Sequence, residues 1–462
     1  MKIYSIKIFL LLVFAGAFTL VTVSCDPEEI PDSVKVTPSV KDIKFSGDGK
    51  TATADGQAII PEFSVETNRN GWTVELSEKD SWLKVSKGEK GFKLTADPNE
   101  SYDARGQITV TVRAGKAVSD VIKVTQSGAT LPDNNLYFFG MYEVSGPDVY
   151  AYFKDGEFKE IGRDDEMYIA SIDVWNGDLY LGGALLNGTG VSPAYWKNGV
   201  KVSLPHNGNL AAVYDITVSG GDVYAVGMDL DQATRSEDCI CWKNGEKLFI
   251  FSNDAEHEYS IAHIAVYEGD VYLAGREHRL VDGKPVTAVA YWKNGEIFRI
   301  KEGDDRSIFE VSDIAVSDGG VYVGGLFFDG NDYSRGYWHN GRFEKLKDGS
   351  VTNIVGMEVS GGDVYMAGNT VDPYGNSVGA LWKNGNQSYL YPRDIEIGTA
   401  TQVFDIAVCN GTVYLSGYEQ VRGEEGSSGV MITGYWIDGL VFVPFTGPGA
   451  DFVPLLMAAE AK

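Results

Sequence analysis

Residues 264–275 read IAVYEGDVYLAG and residues 290–300 read AYWKNGEIFRI, and together they describe four short strands joined by tight turns. Tyrosine and tryptophan favour strands, and Asn294-Gly295 is a strong signal for a two-residue hairpin turn. The second segment has six related copies: AYFKDG at 151, AYWKNG at 194, CWKNG at 241, GYWHNG at 336, ALWKNG at 380 and GYWIDG at 434. A word related to DVYLAG precedes every copy, so the chain repeats a unit larger than one hairpin.

The repeat predicts a β-propeller. From Gly140 to Gly417 six intervals span 277 residues, so the period is about 46 residues. Each unit has four strands, A to D, marked in the opening example by IAV, VYLAG, YWKNG and IFRI, which is typical of a propeller blade. The first unit lacks strand A, and DFVPLLMAA at 451–459 has no strand B after it. We therefore expect residues 131–462 to form a seven-bladed propeller closed by the C-terminal strand.

One aromatic pair recurs in every unit, and we expect it to pack blade against blade rather than to bind ligand. Its members are Trp196, Trp242, Trp292, Trp338, Trp382 and Trp436 with Phe153, and Tyr137, Tyr180, Tyr224, Tyr272, Tyr322, Tyr365 and Tyr414.

Charge and chemistry exclude several functions. The 462 residues carry a formal net charge of −26, so nucleic acid and an anionic membrane surface are unfavourable partners. Cys239, Cys241 and Cys409 are expected to be buried apolar residues. Five histidines occur, none in a motif with a nucleophile or with metal-ligand spacing. An enzyme is therefore not predicted, although propellers also host hydrolases and lyases with scattered residues.

The first 24 residues predict an export signal. Lys2 and Lys7 precede the apolar run IFLLLVFAGAFTLVTVS, which ends at Cys25. This resembles a bacterial lipoprotein signal, which implies lipidation of Cys25 and anchoring in the outer membrane. The DPEE that follows is similar to the export signal of surface lipoproteins in Gram-negative bacteria, which implies a position facing the cell exterior. Residues 25–36 form an acidic linker.

Residues 37–130 predict an immunoglobulin-like β-sandwich, because short alternating strands such as GWTVEL and GQITVTVRA recur between polar turns. The order of Asn68, Trp72, DSWLKVS, Asn99, Arg105-Gly106 and IKVTQSGA resembles the BACON domain family. The resemblance implies an extracellular module of glycan-degrading or glycan-binding proteins, acting as a sugar binder or as a spacer. Trp72 and Trp82 are expected to be core residues rather than sugar platforms.

Loop length places a site on one side of the propeller. Antiparallel strands put the A–B and C–D turns on one face, here called the hairpin face, and the B–C and D–A connections on the other, the variable face. All long connections belong to the variable face, where binding residues are expected. Candidate glycan-binding aromatic residues there are Tyr142, Phe327, Phe328, Tyr333, Tyr374 and Tyr418. The alternative is that these rings only cover the ends of the blades.

A second candidate lies at the mouth of the central channel. One aligned position near the start of successive A strands reads Ser171, Asp215, His263, Asp313, Gly356 and Asp405. These side chains could hold a cation such as calcium or bind sugar hydroxyls. The alternative, which we favour, is a structural role in which they tie neighbouring blades together. DGND at 329–332 resembles a calcium loop only weakly, and no other cofactor is predicted.

These observations favour a monomeric, non-catalytic cell-surface lipoprotein that binds a host or dietary glycan through the variable face. The alternatives are a polysaccharide hydrolase or lyase of the propeller type, and a protein-interaction scaffold in an outer-membrane complex.

Overall fold

The computed structural model describes residues 30–47, 49–78, 81–99, 104–128, 132–142, 147–154, 157–188, 190–231, 233, 235–304, 306–318, 320–328, 333–347, 351–392, 400–421, 430–445 and 451–462. The predicted export signal, Cys25 and the DGND segment lie outside these residues. Contacts between Cα atoms divide the chain into two compact units, 1–131 and 132–462.

The first unit consists of strands that form two sheets. Their bounds are β1 (Val34–Thr37), β2 (Asp42–Phe45), β3 (Ala52–Ala54), β4 (Gln57–Ile59), β5 (Glu62–Thr67), β6 (Thr73–Leu76), β7 (Leu83–Lys87), β8 (Gly91–Ala96), β9 (Arg105–Ala114), β10 (Ala117–Val118) and β11 (Ile122–Gln126). One sheet has the order β1-β5-β8-β7, and the other has the order β10-β9-β11-β2-β3-β4 with β6 also paired to β9. Alternating residues of both sheets share one core that contains Phe63, Leu94, Ile43, Val110 and Val124.

The tryptophans of the first unit are structural, as expected. Trp72 is buried and its ring contacts Phe92, while Trp82 is half-buried and packs against the same core. Lys87 Nζ lies 4.5 Å from the Trp72 ring centroid. The Trp72 ring is therefore covered by protein and is not available to stack on a sugar.

The polar landmarks of the first unit hold loop backbone. Gln126, which is fully buried, donates from Nε2 to the carbonyl oxygens of Ser46, Gly47 and Asp97 at 3.2, 3.1 and 2.9 Å. Arg105 Nη1 donates to Gln126 Oε1 at 3.0 Å. Buried polar groups are costly unless hydrogen-bonded, so these residues secure the loops between strands.

The second unit also consists of strands. Their bounds are β12 (Asn134–Tyr142), β13 (Val149–Lys154), β14 (Glu157–Arg163), β15 (Met167–Trp175), β16 (Asp178–Leu186), β17 (Val191–Lys197), β18 (Val200–Ser203), β19 (Leu210–Ser219), β20 (Asp222–Asp231), β21 (Ser236–Lys243), β22 (Glu246–Ser252), β23 (His257–Tyr267), β24 (Asp270–Val281), β25 (Lys284–Lys293), β26 (Glu296–Gly303), β27 (Ile308–Ser317), β28 (Gly320–Phe328), β29 (Tyr333–His339), β30 (Arg342–Lys345), β31 (Asn353–Ser360), β32 (Asp363–Val371), β33 (Ser377–Lys383), β34 (Asn386–Leu390), β35 (Ala400–Cys409), β36 (Thr412–Val421), β37 (Val430–Ile437), β38 (Val441–Pro444) and β39 (Val453–Ala461).

These strands form antiparallel four-stranded groups with consecutive A, B, C and D strands. Strands β15 to β22 form one eight-stranded sheet, and four further sheets run β23-β24-β25-β26, β27-β28-β29-β30, β31-β32-β33-β34 and β35-β36-β37-β38. A fifth sheet has the order β14-β13-β12-β39, in which the C-terminal strand pairs with the first strand of the unit. The A strands contact one another in the series β15, β19, β23, β27, β31 and β35, and β39 contacts both β35 and β15. The predicted all-β class is confirmed, and the second unit is propeller-like.

The repeated words encode two-residue turns, and in four of the repeats they also encode a polar cluster beside the C–D turn. Asn294 and Gly295 have φ values of 51° and 86°, which a type I′ hairpin turn requires. Lys293 Nζ lies 2.7 Å from Asp270 Oδ2 and 5.2 Å from the Tyr272 ring centroid. Asn294 donates from Nδ2 to Asp270 Oδ1 and accepts a hydrogen bond at Oδ1 from Val271 N. Equivalent ion pairs join Lys197 to Asp178, Lys243 to Asp222 and Lys383 to Asp363. The hairpin face is thus built from self-contained structural clusters.

The repeated aromatic residues are mostly buried, as expected. All six tryptophans of the C strands are buried, and so are the B-strand tyrosines except the half-buried Tyr322. Cys239, Cys241 and Cys409 are buried free thiols. No helix in the described ranges is long and apolar enough to cross a membrane.

Candidate functional site

The A strands of the second unit line one cavity of about 410 Å³, here called the channel. Each A strand has a register shift of one residue where it pairs with its B strand, which marks a β-bulge. The residue after the bulge is the position that the sequence singled out, and the strand pairing adds Leu456 of β39 to it. The complete set is Ser171, Asp215, His263, Asp313, Gly356, Asp405 and Leu456.

The aspartates at this position bridge neighbouring A strands. Asp215 Oδ2 accepts a hydrogen bond from Ile264 N at 3.0 Å, and Asp313 Oδ2 accepts one from Met357 N at 2.8 Å. The other oxygen of each carboxylate accepts from the next amide of its own strand, 2.8 Å away for Asp215 and 2.7 Å away for Asp313. These contacts favour the tying role over a ligand-binding role, because both carboxylate oxygens already have protein partners.

The same bridge occurs where the C-terminal strand β39 meets β35. Asp405 Oδ2 accepts a hydrogen bond from Met457 N at 2.8 Å, and its Oδ1 accepts one from Ile406 N at 2.8 Å. Met457 belongs to β39, so Asp405 connects the last A strand of the repeat series to the C-terminal strand. The channel position therefore contributes to holding β39 in place.

A second layer of the channel holds an acidic residue that the sequence analysis missed. Glu358 lies two residues after Gly356, lines the same cavity and is half-buried. Burial, together with the charges of Asp313, Asp405 and Asp173, raises the pKa of Glu358 to about 8. Most A strands have Ala or Thr at this register and β15 has Asp173, so the position gave no repeat signal.

Burial also raises the pKa of the channel aspartates. The pKa of Asp405 rises to about 8 and that of Asp313 to about 6, in each case mainly because burial disfavours the charged carboxylate. The pKa of Asp173 rises to about 6 for the same reason, although Val218 N and Val174 N donate hydrogen bonds to it. The channel is therefore less negatively charged near neutral pH than its residue content implies.

The geometry of the channel does not favour metal binding or nucleophilic catalysis. Within the described part of the chain, no group of three His, Cys, Asp or Glu side chains is close enough to hold a metal ion. Ser171 Oγ donates to Asp215 Oδ1 at 2.6 Å, so the hydroxyl is bound to a carboxylate and not to a histidine. His263 Nε2 lies 3.2 Å from the Val311 carbonyl oxygen and donates to it. The imidazole therefore acts as another inter-strand tie.

On the variable face, Tyr374 is the most exposed of the predicted aromatic residues, at 84%. Its loop joins β32 to β33 and is fixed by Asp372, which is only 4% exposed. Asp372 Oδ1 accepts hydrogen bonds from Tyr374 N at 2.9 Å and from Asn376 N at 2.8 Å, and Gly375 N donates to the Asp372 carbonyl oxygen at 3.0 Å. The loop thus holds a flat apolar ring in solvent on a preformed backbone.

Tyr333 is a second exposed ring, on the neighbouring sheet. It begins β29, lies directly opposite Phe328 at the end of β28, and is 55% exposed. The two rings stack with centroids 4.3 Å apart and planes inclined by 23°. Phe328 therefore supports one face of Tyr333, while a large part of Tyr333 remains exposed to solvent.

The other three predicted aromatic residues are engaged by the protein. Phe327 is half-buried and stacks on Phe309 with centroids 5.4 Å apart, so it belongs to a sheet interface. The Tyr142 hydroxyl donates a hydrogen bond to Glu160. Burial raises the pKa of Tyr142 to about 12, with a smaller contribution from this bond. Tyr418 is half-buried and donates from its hydroxyl to Gln402 Oε1 at 2.9 Å. These rings cover the ends of sheets, which was the alternative interpretation.

Comparisons with known proteins add similar structures but no family. No family model matches the chain, and no curated protein matches it. The β-propeller domain of the Trilobed protease from Pyrococcus furiosus is similar at 9% identity, over 79% of this chain and 99% of that one, with a TM-score of 0.40. TolB from Acinetobacter baumannii is similar at 10% identity, over 85% and 83% of the two chains, with a TM-score of 0.35. Since both scores are below 0.5, the fold assignment rests on the strand pairing.

Proposed function

We propose that this chain is a non-catalytic cell-surface lipoprotein that binds carbohydrate through the variable face of a seven-bladed β-propeller. In this proposal Cys25 carries the lipid, residues 25–36 form the linker, and the protein is an outer-membrane monomer facing the cell exterior. The leader sequence and the acidic residues after Cys25 support the location. The first unit is a BACON-like module that acts as a spacer or as an ancillary sugar binder.

The strand pairing supports the sevenfold closed ring. Strands β12 to β39 divide into seven groups of four when the eight-stranded sheet is counted as two blades. A single bridging pair, Val191 and Leu210, joins these two blades. Strand β39 supplies strand A of the first blade. The contacts of β39 with both β35 and β15 support a ring without a gap.

The observation that carries the binding proposal is Tyr374, which is 84% exposed on a loop that Asp372 fixes. An aromatic side chain that is 84% exposed buries little apolar area, so its placement does little for the stability of the fold. Sugar rings offer an apolar C–H face and a rim of hydroxyls, which suits a protruding tyrosine beside amide groups. Asn376, in the same loop, supplies such an amide.

Affinity electrophoresis of the purified full chain through gels that contain host or plant polysaccharides tests this function. We expect retardation in at least one gel, loss of it in Tyr374→Ala, and its retention in Tyr374→Phe, which keeps the ring. Trp175→Ala, at an exposed ring on the hairpin face, is the control and should not change mobility. Absence of retardation in every gel refutes glycan binding. Released sugar products indicate the hydrolase or lyase alternative, and a stable co-purified protein without glycan affinity indicates the scaffold alternative.

A further inference from the structure

The two exposed tyrosines occupy corresponding places on adjacent sheets. Tyr333 borders the connection between strands B and C of the sheet β27 to β30, and Tyr374 lies in the same connection of the sheet β31 to β34. Strands β27 and β31 contact each other, and β28 also contacts β31, so the two sheets are neighbours. Both rings therefore lie on the variable face, at the same connection of two neighbouring sheets.

The ring of Tyr333 and the backbone that carries Tyr374 are held in place before any ligand arrives. Tyr333 is supported by the stacked ring of Phe328 at 4.3 Å, and Tyr374 by the backbone hydrogen bonds to Asp372. A ligand that contacts either tyrosine does not have to order the protein backbone there, which removes one common cost of binding. Two preformed contacts on one rigid frame favour a ligand that can occupy both at once, because the second contact is then intramolecular.

The charge of the protein selects among such ligands. The chain has 65 acidic and 39 basic residues, and a net charge of −26 opposes the approach of a polyanion. Within the loop of Tyr374, the carboxylate oxygens of Asp372 accept hydrogen bonds from Tyr374 N, Asn376 N and Asn376 Nδ2. Asp372 is therefore an internal brace of the loop, and the Tyr374 ring that the loop exposes is uncharged.

We propose that the ligand is a chain of neutral sugars that lies across Tyr333 and Tyr374 together, rather than a single terminal sugar. This inference rests on the proposed carbohydrate function and narrows its ligand class. The affinity then depends on the length of the sugar chain, and each ring contributes only when the chain is long enough to reach it.

The test is calorimetric titration of the purified full chain with cello-, malto-, xylo- and manno-oligosaccharides, each from disaccharide to octasaccharide. For the series that binds, we expect the affinity to rise about tenfold or more at the length that first spans both rings. Tyr333→Ala and Tyr374→Ala should each lower the affinity for the long oligosaccharides to the level of the short ones. The variants Tyr333→Phe and Tyr374→Phe should keep the length dependence, and unaltered thermal unfolding shows that the alanine variants are folded.

The possible outcomes distinguish failure of this inference from failure of the proposed carbohydrate binding. Binding that is equally tight at every length, or that only one of the two tyrosines affects, overturns the two-ring inference and leaves glycan binding intact. Tighter binding of polygalacturonate than of every neutral series overturns the charge argument and with it the ligand class. Absence of binding to all of these sugars and to the polysaccharide gels overturns both proposals.

Discussion

Glu358→Gln should change how the stability of the second unit depends on pH. The pKa of Glu358 rises from 4.5 to about 8 because the side chain is buried among the carboxylates of Asp313, Asp405 and Asp173. In the unfolded chain this glutamate loses its proton near its ordinary pKa, whereas in the folded protein it keeps the proton up to about pH 8. The free energy of unfolding therefore falls as the pH rises between these two values.

The magnitude follows from the same two pKa values. At about 1.4 kcal/mol for each pKa unit, the difference corresponds to roughly 5 kcal/mol. The cavity leaves part of Glu358 accessible, so we expect about half of this value, roughly 2–3 kcal/mol. Glutamine is neutral at every pH, so the variant should match the parent protein below about pH 5 and exceed it by this amount near pH 9.

Urea unfolding followed by tryptophan fluorescence, at intervals from about pH 5 to about pH 9, measures the difference between the two proteins. Glu296→Gln is the control, because Glu296 is exposed on an outer strand, and it should follow the parent curve at every pH. Unfolding free energies of Glu358→Gln and the parent that run parallel across this range would refute the argument from burial.

Three further changes test the ring, the repeat and the loop. Asp405→Ala should lower the free energy of unfolding by about 1–3 kcal/mol and speed hydrogen exchange at the Met457 amide. The control Asp173→Ala should leave exchange at Met457 unchanged. Equal exchange rates in the parent and both variants would show that the bridge to β39 is unimportant. Trp382→Ala removes a fully buried ring and should cost about 3–5 kcal/mol in urea unfolding; a loss below about 1 kcal/mol would contradict the packing role of the repeated tryptophan. Asp372→Ala should weaken retardation in polysaccharide gels because it frees the backbone that carries Tyr374, and unchanged mobility would mean that a preformed loop is not needed for binding.

Periodic features of the fold could be predicted from the sequence. The words VYLAG and YWKNG mark strands B and C, because they recur with turn residues whose positive φ values only a few residue types tolerate. The aligned channel position was also visible, since Asp215, Asp313 and Asp405 recur at one register. The hydrogen bonds from these aspartates to the next A strand join residues more than 40 positions apart in sequence, so they could only be seen in the structure.

Features that occur once could not be predicted. Glu358 stands at a register that most other A strands fill with Ala or Thr, and its pKa is raised mainly by burial and further by carboxylates on strands distant in sequence. Phe327 and Phe328 are adjacent, and alternation alone does not tell which of two strand-end rings packs inward. Asp372 is a loop aspartate like many others until its burial and its hydrogen bonds to Tyr374 and Asn376 are known.

The bulge in each A strand also addresses a hazard of near-identical repeats. A strand of one repeat could dock in the place of another, or slide by two residues and keep the same side chains inward. An inserted residue at a fixed point makes a slipped pairing mismatch, because the bulge of the A strand would then face a regular part of its B strand. The bulge therefore fixes the register within each sheet, whichever residue follows it.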